Sequence, residues 1–170
     1  VNKFDRITGE IVWESASNYE VGNNREQAGL EMIQDDNALY LTGYFTTSQG
    51  YTNWGMLKLQ KSDGGLVYST LITNIQQSIG SLGIGLKVLN NRVACLGTKR
   101  LEQNLGLATE QWVEIDNENG DILLEKIIPD TIPFPSAIVN IEQAGPGILA
   151  ILQQHGTKAK LSLKTTKKMH

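Results

Sequence analysis

Residues 58–68 read Lys-Leu-Gln-Lys-Ser-Asp-Gly-Gly-Leu-Val-Tyr: an alternating apolar stretch, a polar turn, a glycine and a second apolar stretch. The same order occurs at residues 3–13 around Gly9 and at residues 114–124 around Gly120. The turn glycines of the three copies are 55 and 56 residues apart. Tight turns between antiparallel strands need a residue with positive φ, which glycine adopts without steric cost. We therefore predict three β-hairpins that belong to one internal repeat.

A second series of apolar stretches runs in phase with the first. Gly43 and Gly97, 54 residues apart, end two of these stretches, and residues 148–152 form the third without a glycine. Another apolar stretch and a polar turn precede each of them. No segment sustains the 3.6-residue period of a helix. Each unit of about 55 residues therefore predicts four short antiparallel strands, and the fold class is all-β.

Four-stranded units repeated at this spacing are typical of β-propeller blades. We predict that residues 1–170 form a single partial β-propeller in which prolines crowd an extended linker at 128–136. A closed ring has about four to eight blades. The ring is therefore expected to be incomplete, so that missing blades or self-association would complete it. The chain itself is expected to be a processed or excised segment. The predicted units are the end of one blade at 1–15, full blades at 28–73 and 82–128, and an incomplete blade at 136–165.

Three stretches carry a resemblance to a known family. Residues 36–44, 54–59 and 65–70 resemble the strands of the SBBP repeat, and the next unit matches only in outline because Leu124 replaces the aromatic residue. Residues 4–13, Phe-Asp-Arg-Ile-Thr-Gly-Glu-Ile-Val-Trp, are similar to the D-x-x-T-G-x-x-x-W repeat of quinoprotein-dehydrogenase-like propellers. Both resemblances imply propeller blades. Because both families are functionally diverse, they imply a fold rather than an activity.

Composition excludes several classes of protein. The chain is 40% hydrophobic and 19% charged with a net charge of −3, which is globular rather than disordered. The mild acidity argues against nucleic acid, and no apolar run is long enough for membrane insertion by a helix. Cys95, the only cysteine, is predicted to be a buried thiol. A lone cysteine fits a reducing compartment but does not exclude secretion. The location of the protein stays open, with a secreted or cell-surface location favoured.

Signals for chemistry are weak. The glycine-rich residues 80–85 lack the Lys-Ser/Thr of a phosphate loop. Residues 116–121 are acidic, but Gly120 stands where a calcium loop needs an oxygen ligand. We predict no catalytic residue, no metal site and no cofactor. The question of an enzyme stays open, with a non-catalytic protein favoured.

The candidate binding residues lie where two adjacent units join strand to strand. Aromatic rings stack on sugars and peptides, while amides and hydroxyl groups form hydrogen bonds. The alternative, which we favour, is that Trp54 and Tyr44 pack between neighbouring blades. The candidate residues are Tyr51, Asn53 and Trp54 in the predicted loop 46–54, Tyr44 beside that loop, and Lys99 and Arg100 in the corresponding loop of the next unit.

The sequence favours a non-catalytic scaffold or interaction module that binds a protein or glycan partner through its blade loops. Two alternatives remain. In the first alternative, the chain is a fragment of a quinoprotein-like enzyme whose active site lies in other blades. In the second, it is a structural subunit of a large assembly.

Overall fold

A computed structural model shows an all-β protein. It describes residues 1–15, 26–46, 52–72, 80–101, 104–133, 137–145, 148–155 and 158–165. Within these ranges no helix has the length and apolar character that crossing a membrane requires. The strands are β1 (Asn2–Phe4), β2 (Ile11–Glu14), β3 (Glu26–Gln34), β4 (Ala38–Thr46), β5 (Thr52–Gln60), β6 (Leu66–Leu71), β7 (Ser81–Leu89), β8 (Arg92–Leu101), β9 (Asn104–Asp116), β10 (Ile122–Pro133), β11 (Ala137–Gly145), β12 (Ile148–His155) and β13 (Lys158–Thr165).

The strands form antiparallel sheets in which neighbours along the chain pair with each other. Sheet A contains β1 and β2, sheet B contains β3 to β6, sheet C contains β7 to β10, and sheet D contains β11 to β13. Comparison of the repeats identifies β1 and β2 as the equivalents of β5 and β6, because residues 3–13 correspond to residues 58–68. Sheet A therefore corresponds to the part of sheet B that β5 and β6 form.

Sheets B and C pack face to face. Strand β7, the first strand of sheet C, packs on β3, β4 and β5 of sheet B and also contacts β11, the first strand of sheet D. The interior between sheets B and C is apolar because alternate residues of each strand point into it. Its buried residues are Ala38, Tyr40, Trp54, Met56, Tyr68, Ile72, Leu86, Val93, Cys95, Val113 and Ile115. Cys95 is fully buried, as predicted.

Each repeat glycine has the predicted backbone conformation. The φ angles are +73° at Gly9, +75° at Gly64 and +83° at Gly120. Each turn is closed by a pair of backbone hydrogen bonds at its base, and in the first turn the Gly9 N–H donates to Asp5 O at 2.9 Å while the Asp5 N–H donates to Glu10 O at 2.8 Å. Residues 60–65 and 116–121 repeat this pattern. The internal repeat therefore extends to the hydrogen bonds of its turns.

Three sequence-based boundaries differ from the structure. Asn53 and Trp54 were predicted in the loop 46–54 but lie in β5, which begins at Thr52. The predicted linker at 128–136 is wrong for residues 128–133, because β10 continues to Pro133 with a register shift between Ile128 and Thr131. Within the sheet order that the structure describes, β10 is an edge strand, where a missing N–H is tolerated. Lys99 and Arg100 were predicted in a loop but lie in β8, where they pair with Thr109 and Ala108 of β9.

Candidate functional site

The sheets expose two different ends. One end, which we call the turn end, carries the polar turns of the sheets: residues 5–9, 35–37, 61–65, 90–91 and 117–120. Two pairs of these turns are joined by backbone hydrogen bonds, from the Lys61 N–H to Asn37 O and from the Asn117 N–H to Asn91 O. At the opposite loop end, β4 ends at Thr46 and β5 begins at Thr52. The two ends are therefore separate candidate surfaces.

An aromatic ring of sheet A lies against the turn glycine of sheet B, and an aromatic ring of sheet B lies against the turn glycine of sheet C. A methyl group on Gly64 would lie 2.6 Å from Cε3 of Trp13, and one on Gly120 would lie 2.6 Å from Cδ2 of Tyr68. Trp13 and Tyr68 occupy the same position of the repeat. The Thr70 hydroxyl also donates to Gly120 O at 2.6 Å. This contact, which we call the ring-on-glycine contact, joins A to B and B to C.

A lysine accompanies each ring-on-glycine contact. Lys3 Nζ donates to Lys61 O at 3.3 Å, and the equivalent Lys58 Nζ donates to Asn117 O at 2.5 Å. At the first interface the Trp13 indole N–H donates to the same Lys61 O at 3.2 Å. The backbone carbonyl of the residue directly after β5 or β9 thus accepts hydrogen bonds from side chains of the preceding sheet.

Lys58 also lies between two aromatic rings. Its Nζ atom is 5.5 Å from the ring centroid of Tyr40 and 5.6 Å from that of Tyr68, distances at which a cation is attracted to the ring face. The same Nζ donates to Asn117 Oδ1 at 3.1 Å. The lysine therefore connects two strands of sheet B to a turn of sheet C.

The Tyr40 hydroxyl extends this group toward the turn of residues 35–37. It donates to Asp35 Oδ2 at 2.6 Å and lies 2.8 Å from Asn117 Oδ1. Burial raises the pKa of Tyr40, and the bond to Asp35 raises it further. Burial alone would raise the pKa of Asp35, but hydrogen bonds from Tyr40, Asn37 and Ala38, with the charge of Lys58, lower it overall. The carboxylate is thus held ionised between the sheets.

Trp54 fills a slot between sheets B and C. The slot is lined by Gly83 and Gly97, where an added methyl group would in each case lie 2.7 Å from the indole ring. Its N–H is 3.4 Å from Gln111 Oε1, and the side chain is completely buried. The structure therefore shows Trp54 packed between sheets, the alternative that the sequence favoured.

The remaining candidate residues lie near the loop end. Tyr44 is half-buried in β4 opposite Trp54, and Asn53 is completely buried in β5. Lys99 and Arg100 are half-buried in β8. Tyr51 lies outside the described residues. Buried Asn53 and Trp54 offer no surface to a partner, which leaves Tyr44, Lys99 and Arg100 as candidates in this part of the structure.

A cleft of about 570 Å³ opens at the turn end between sheets A and B. Sequence reasoning missed it, because its walls come from three separate turns and strands. The spacing of the repeat, which makes Lys3 equivalent to Lys58, was the available signal. The cleft is lined by Lys3, Asp36, Asn37, Gln60, Lys61 and Ser62.

Neither a protein-family model nor a curated protein matches the chain. The resemblances to SBBP-type and quinoprotein-dehydrogenase-like repeats therefore stay predictions. Among the described residues, His, Cys, Asp and Glu form no group of three or more that could hold a metal ion.

Proposed function

We propose that the chain is part of a β-propeller-type scaffold and acts as a non-catalytic interaction module that binds a protein or glycan partner at the loop end. The observation that carries this proposal is the ring-on-glycine contact. Trp13 on Gly64 and Tyr68 on Gly120 repeat one contact, which supports a similar step from sheet A to sheet B and from sheet B to sheet C. Such repetition is how blades build a rigid ring.

The packing of the first strands also supports the propeller arrangement. Strand β7 packs beside β3 and β11, the first strands of the sheets before and after it. In a propeller, the first strands of successive blades line the central axis. A solution mass near twice 18.7 kDa would indicate that two copies combine their sheets in one ring.

The loop end provides the recognition surface in this proposal. Tyr44 and Thr52 of sheet B and Lys99 of sheet C are half-buried there, which places ring, hydroxyl and ammonium groups near adjacent strand ends. Loops and strand ends on a rigid scaffold commonly carry binding residues. The lysine favours a partner with acidic groups, such as an acidic peptide or an anionic glycan.

An array of neutral and anionic glycans, with acidic and neutral peptides beside them, tests the proposal directly. The Y44A and K99A variants should weaken binding to any captured probe by about tenfold each, which corresponds to roughly 1.4 kcal/mol. Arg6, which is exposed at the turn end, supplies the matched control R6A and should bind as the wild type does. Equal binding by all three variants would refute the loop end as the site.

A further inference from the structure

We propose that strands β6 and β10 bind, where they begin at the turn end, an amphipathic helix of a partner protein whose apolar face is bordered by lysine or arginine. The surface consists of Leu66 and Val67 of sheet B and Ile122 and Leu123 of sheet C, which we call the rim stripe, with the acidic residues around them. It is separate from the loop end, and the proposal does not depend on binding there.

The rim stripe is exposed although sheets B and C each have four strands. Leu66 is 38% exposed and Val67 is 43% exposed, and the equivalent residues Ile122 and Leu123 are each 40% exposed. The two pairs are 56 residues apart, the same spacing as their turn glycines. Both pairs lie on strands at the edge of the described strand order. Exposed aliphatic side chains thus recur at one position of the repeat.

The two pairs lie on either side of one ring-on-glycine contact. Tyr68 directly follows the first pair and lies against Gly120, which is two residues before the second pair. The Thr70 hydroxyl donates to Gly120 O at 2.6 Å and joins the same two elements. The apolar side chains are therefore neighbours across the junction of sheets B and C. Adjoining exposed apolar side chains are typical of an interaction surface.

A β-bulge at each pair argues against an added strand as the occupant. The register of β5 and β6 shifts between Lys58 and Leu59, so Val67 has no paired residue on β5. The same shift leaves Leu123 without a paired residue on β9. A bulge twists the strand and disturbs the edge on which another strand would pair. An amphipathic helix instead binds through its apolar side chains and can lie across two sheets.

The charges around the rim stripe select a cationic partner. Residues 61–67 and 116–126 hold five carboxylates and two cations, so these two segments together carry a net charge of −3, as much as the entire chain. The exposed acidic residues among them are Asp63, Glu118, Asp121 and Glu125. Lysine or arginine beside the apolar face of a helix complements this surface, whereas an anionic lipid surface is repelled by it.

The probe is a peptide of about 18 residues of leucine and lysine, in which the leucines recur at the spacing of one helix face. Its binding to the intact chain is measured by fluorescence anisotropy, and hydrogen exchange locates the contact. We expect saturable binding and slower exchange in residues 61–67 and 116–126. A scrambled peptide of the same composition, and a peptide with glutamate in place of lysine, should each bind at least about tenfold more weakly.

Variants of the apolar residues test the position of the site. V67K and L123K should each weaken binding of the leucine–lysine peptide by about tenfold or more. Met32 supplies the matched control, because it is an exposed apolar residue of β3, at the other edge of sheet B. M32K should bind the peptide as the wild type does, and circular dichroism should show that all three variants fold.

A variant of one acidic residue tests the charge. Glu118 is exposed, and E118K should weaken binding by about two- to fivefold and reduce its dependence on salt. Asp36, which is exposed in the turn between β3 and β4, supplies the control D36K with the same change in net charge. D36K should change neither the affinity nor its salt dependence.

The proposal is overturned if no saturable binding occurs up to about 1 mM peptide, if the scrambled or the glutamate peptide binds equally well, or if V67K and M32K have equal effects. It is also overturned if light scattering shows a dimer that V67K dissociates, because the rim stripe then belongs to a second copy. Y44A and K99A should leave binding of the peptide unchanged, so this test and the glycan and peptide array fail separately.

Discussion

Replacement of Gly64 by alanine tests the ring-on-glycine contact, which determines how sheet A packs on sheet B. Two costs add at this position. The φ angle of +75° is unfavourable for a residue with a Cβ atom, by about 1–2 kcal/mol. The new methyl group would also lie 2.6 Å from Trp13 Cε3, and overpacking of this kind costs about 1–3 kcal/mol. We therefore expect G64A to lower the free energy of unfolding by about 2–5 kcal/mol.

Gly9 provides the matched control within the chain. Its φ angle is +73°, almost the same as that of Gly64, but nothing lies within 4 Å of an added methyl group. The G9A variant should therefore show only the backbone cost of about 1–2 kcal/mol. The difference between G64A and G9A measures the steric part that the ring of Trp13 contributes.

A double-mutant cycle separates the contact from effects on the unfolded chain. In a W13A background the ring is absent, so G64A should cost only the backbone part, and the coupling energy should be about 1–3 kcal/mol. Urea denaturation, followed by circular dichroism and by tryptophan fluorescence, gives each free energy of unfolding. A coupling energy near zero, or equal losses in G9A and G64A, would refute the reasoning.

Three other changes test the interior and the turn end. W54A should lower the free energy of unfolding by about 3–5 kcal/mol, because the slot at Gly83 and Gly97 would be left empty. Urea denaturation measures this loss, and a loss below about 1 kcal/mol, as for a surface substitution, would contradict the prediction. The pKa of Asp35 is lowered from its ordinary value of 3.8, so its contribution to stability is present above that pH and is lost as pH falls through the folded-state pKa. Stability of D35N measured across acidic pH should therefore decline less steeply than that of the wild type, and parallel curves would oppose this assignment. Burial raises the pKa of the Cys95 thiol, so a maleimide should label it only when urea unfolds the chain, and rapid labelling of the folded chain would show that the interior is open.

The turns could be predicted from sequence because their signal is local. A glycine that follows a short polar run between two apolar stretches needs no distant partner to adopt positive φ. The structure confirms this conformation at Gly9, Gly64 and Gly120 and confirms the all-β class. Strand alternation is also local, because successive side chains of a strand point to opposite faces of the sheet.

The side-chain clusters depend on distant residues and could not be predicted in this way. Trp54 is buried because Gly83 and Gly97, 29 and 43 residues later, leave room for an indole ring. The carbonyl that Lys58 binds belongs to Asn117, 59 residues later. From the sequence alone, packing between sheets was the favoured interpretation of Trp54, but an aromatic residue near a strand end is also compatible with a binding surface. Only the facing sheet distinguishes them.

Lys99 and Arg100 show a different limit of the sequence. Their position in the repeat, which corresponds to the predicted loop of the unit before, suggested a loop, yet they continue β8, where Lys99 pairs with both Ser81 and Thr109. Long cationic side chains can cover a sheet with their apolar stems while their charged ends reach solvent. A charged pair at the end of an apolar stretch therefore does not fix where the strand ends.

The residues at the lysine and ring positions, which join sheet A to B and sheet B to C, differ in sheet C. The lysine and aromatic ring are Lys3 and Trp13 at the first interface and Lys58 and Tyr68 at the second, but Glu114 and Leu124 stand at the third pair of positions. A glutamate cannot donate to a backbone carbonyl as those lysines do.

Glu114 instead forms bonds within its own sheet. It accepts from Arg92 at 2.9 Å and from the Trp112 indole at 3.3 Å, and Leu124 packs beside that indole with Ala94 and Leu96. Glu114 thus forms these bonds within sheet C, whereas the equivalent lysines, Lys3 and Lys58, donate to the next sheet. The repeat therefore gives the same turn conformation at Gly9, Gly64 and Gly120, whereas the residues at the lysine and ring positions differ from one unit to the next.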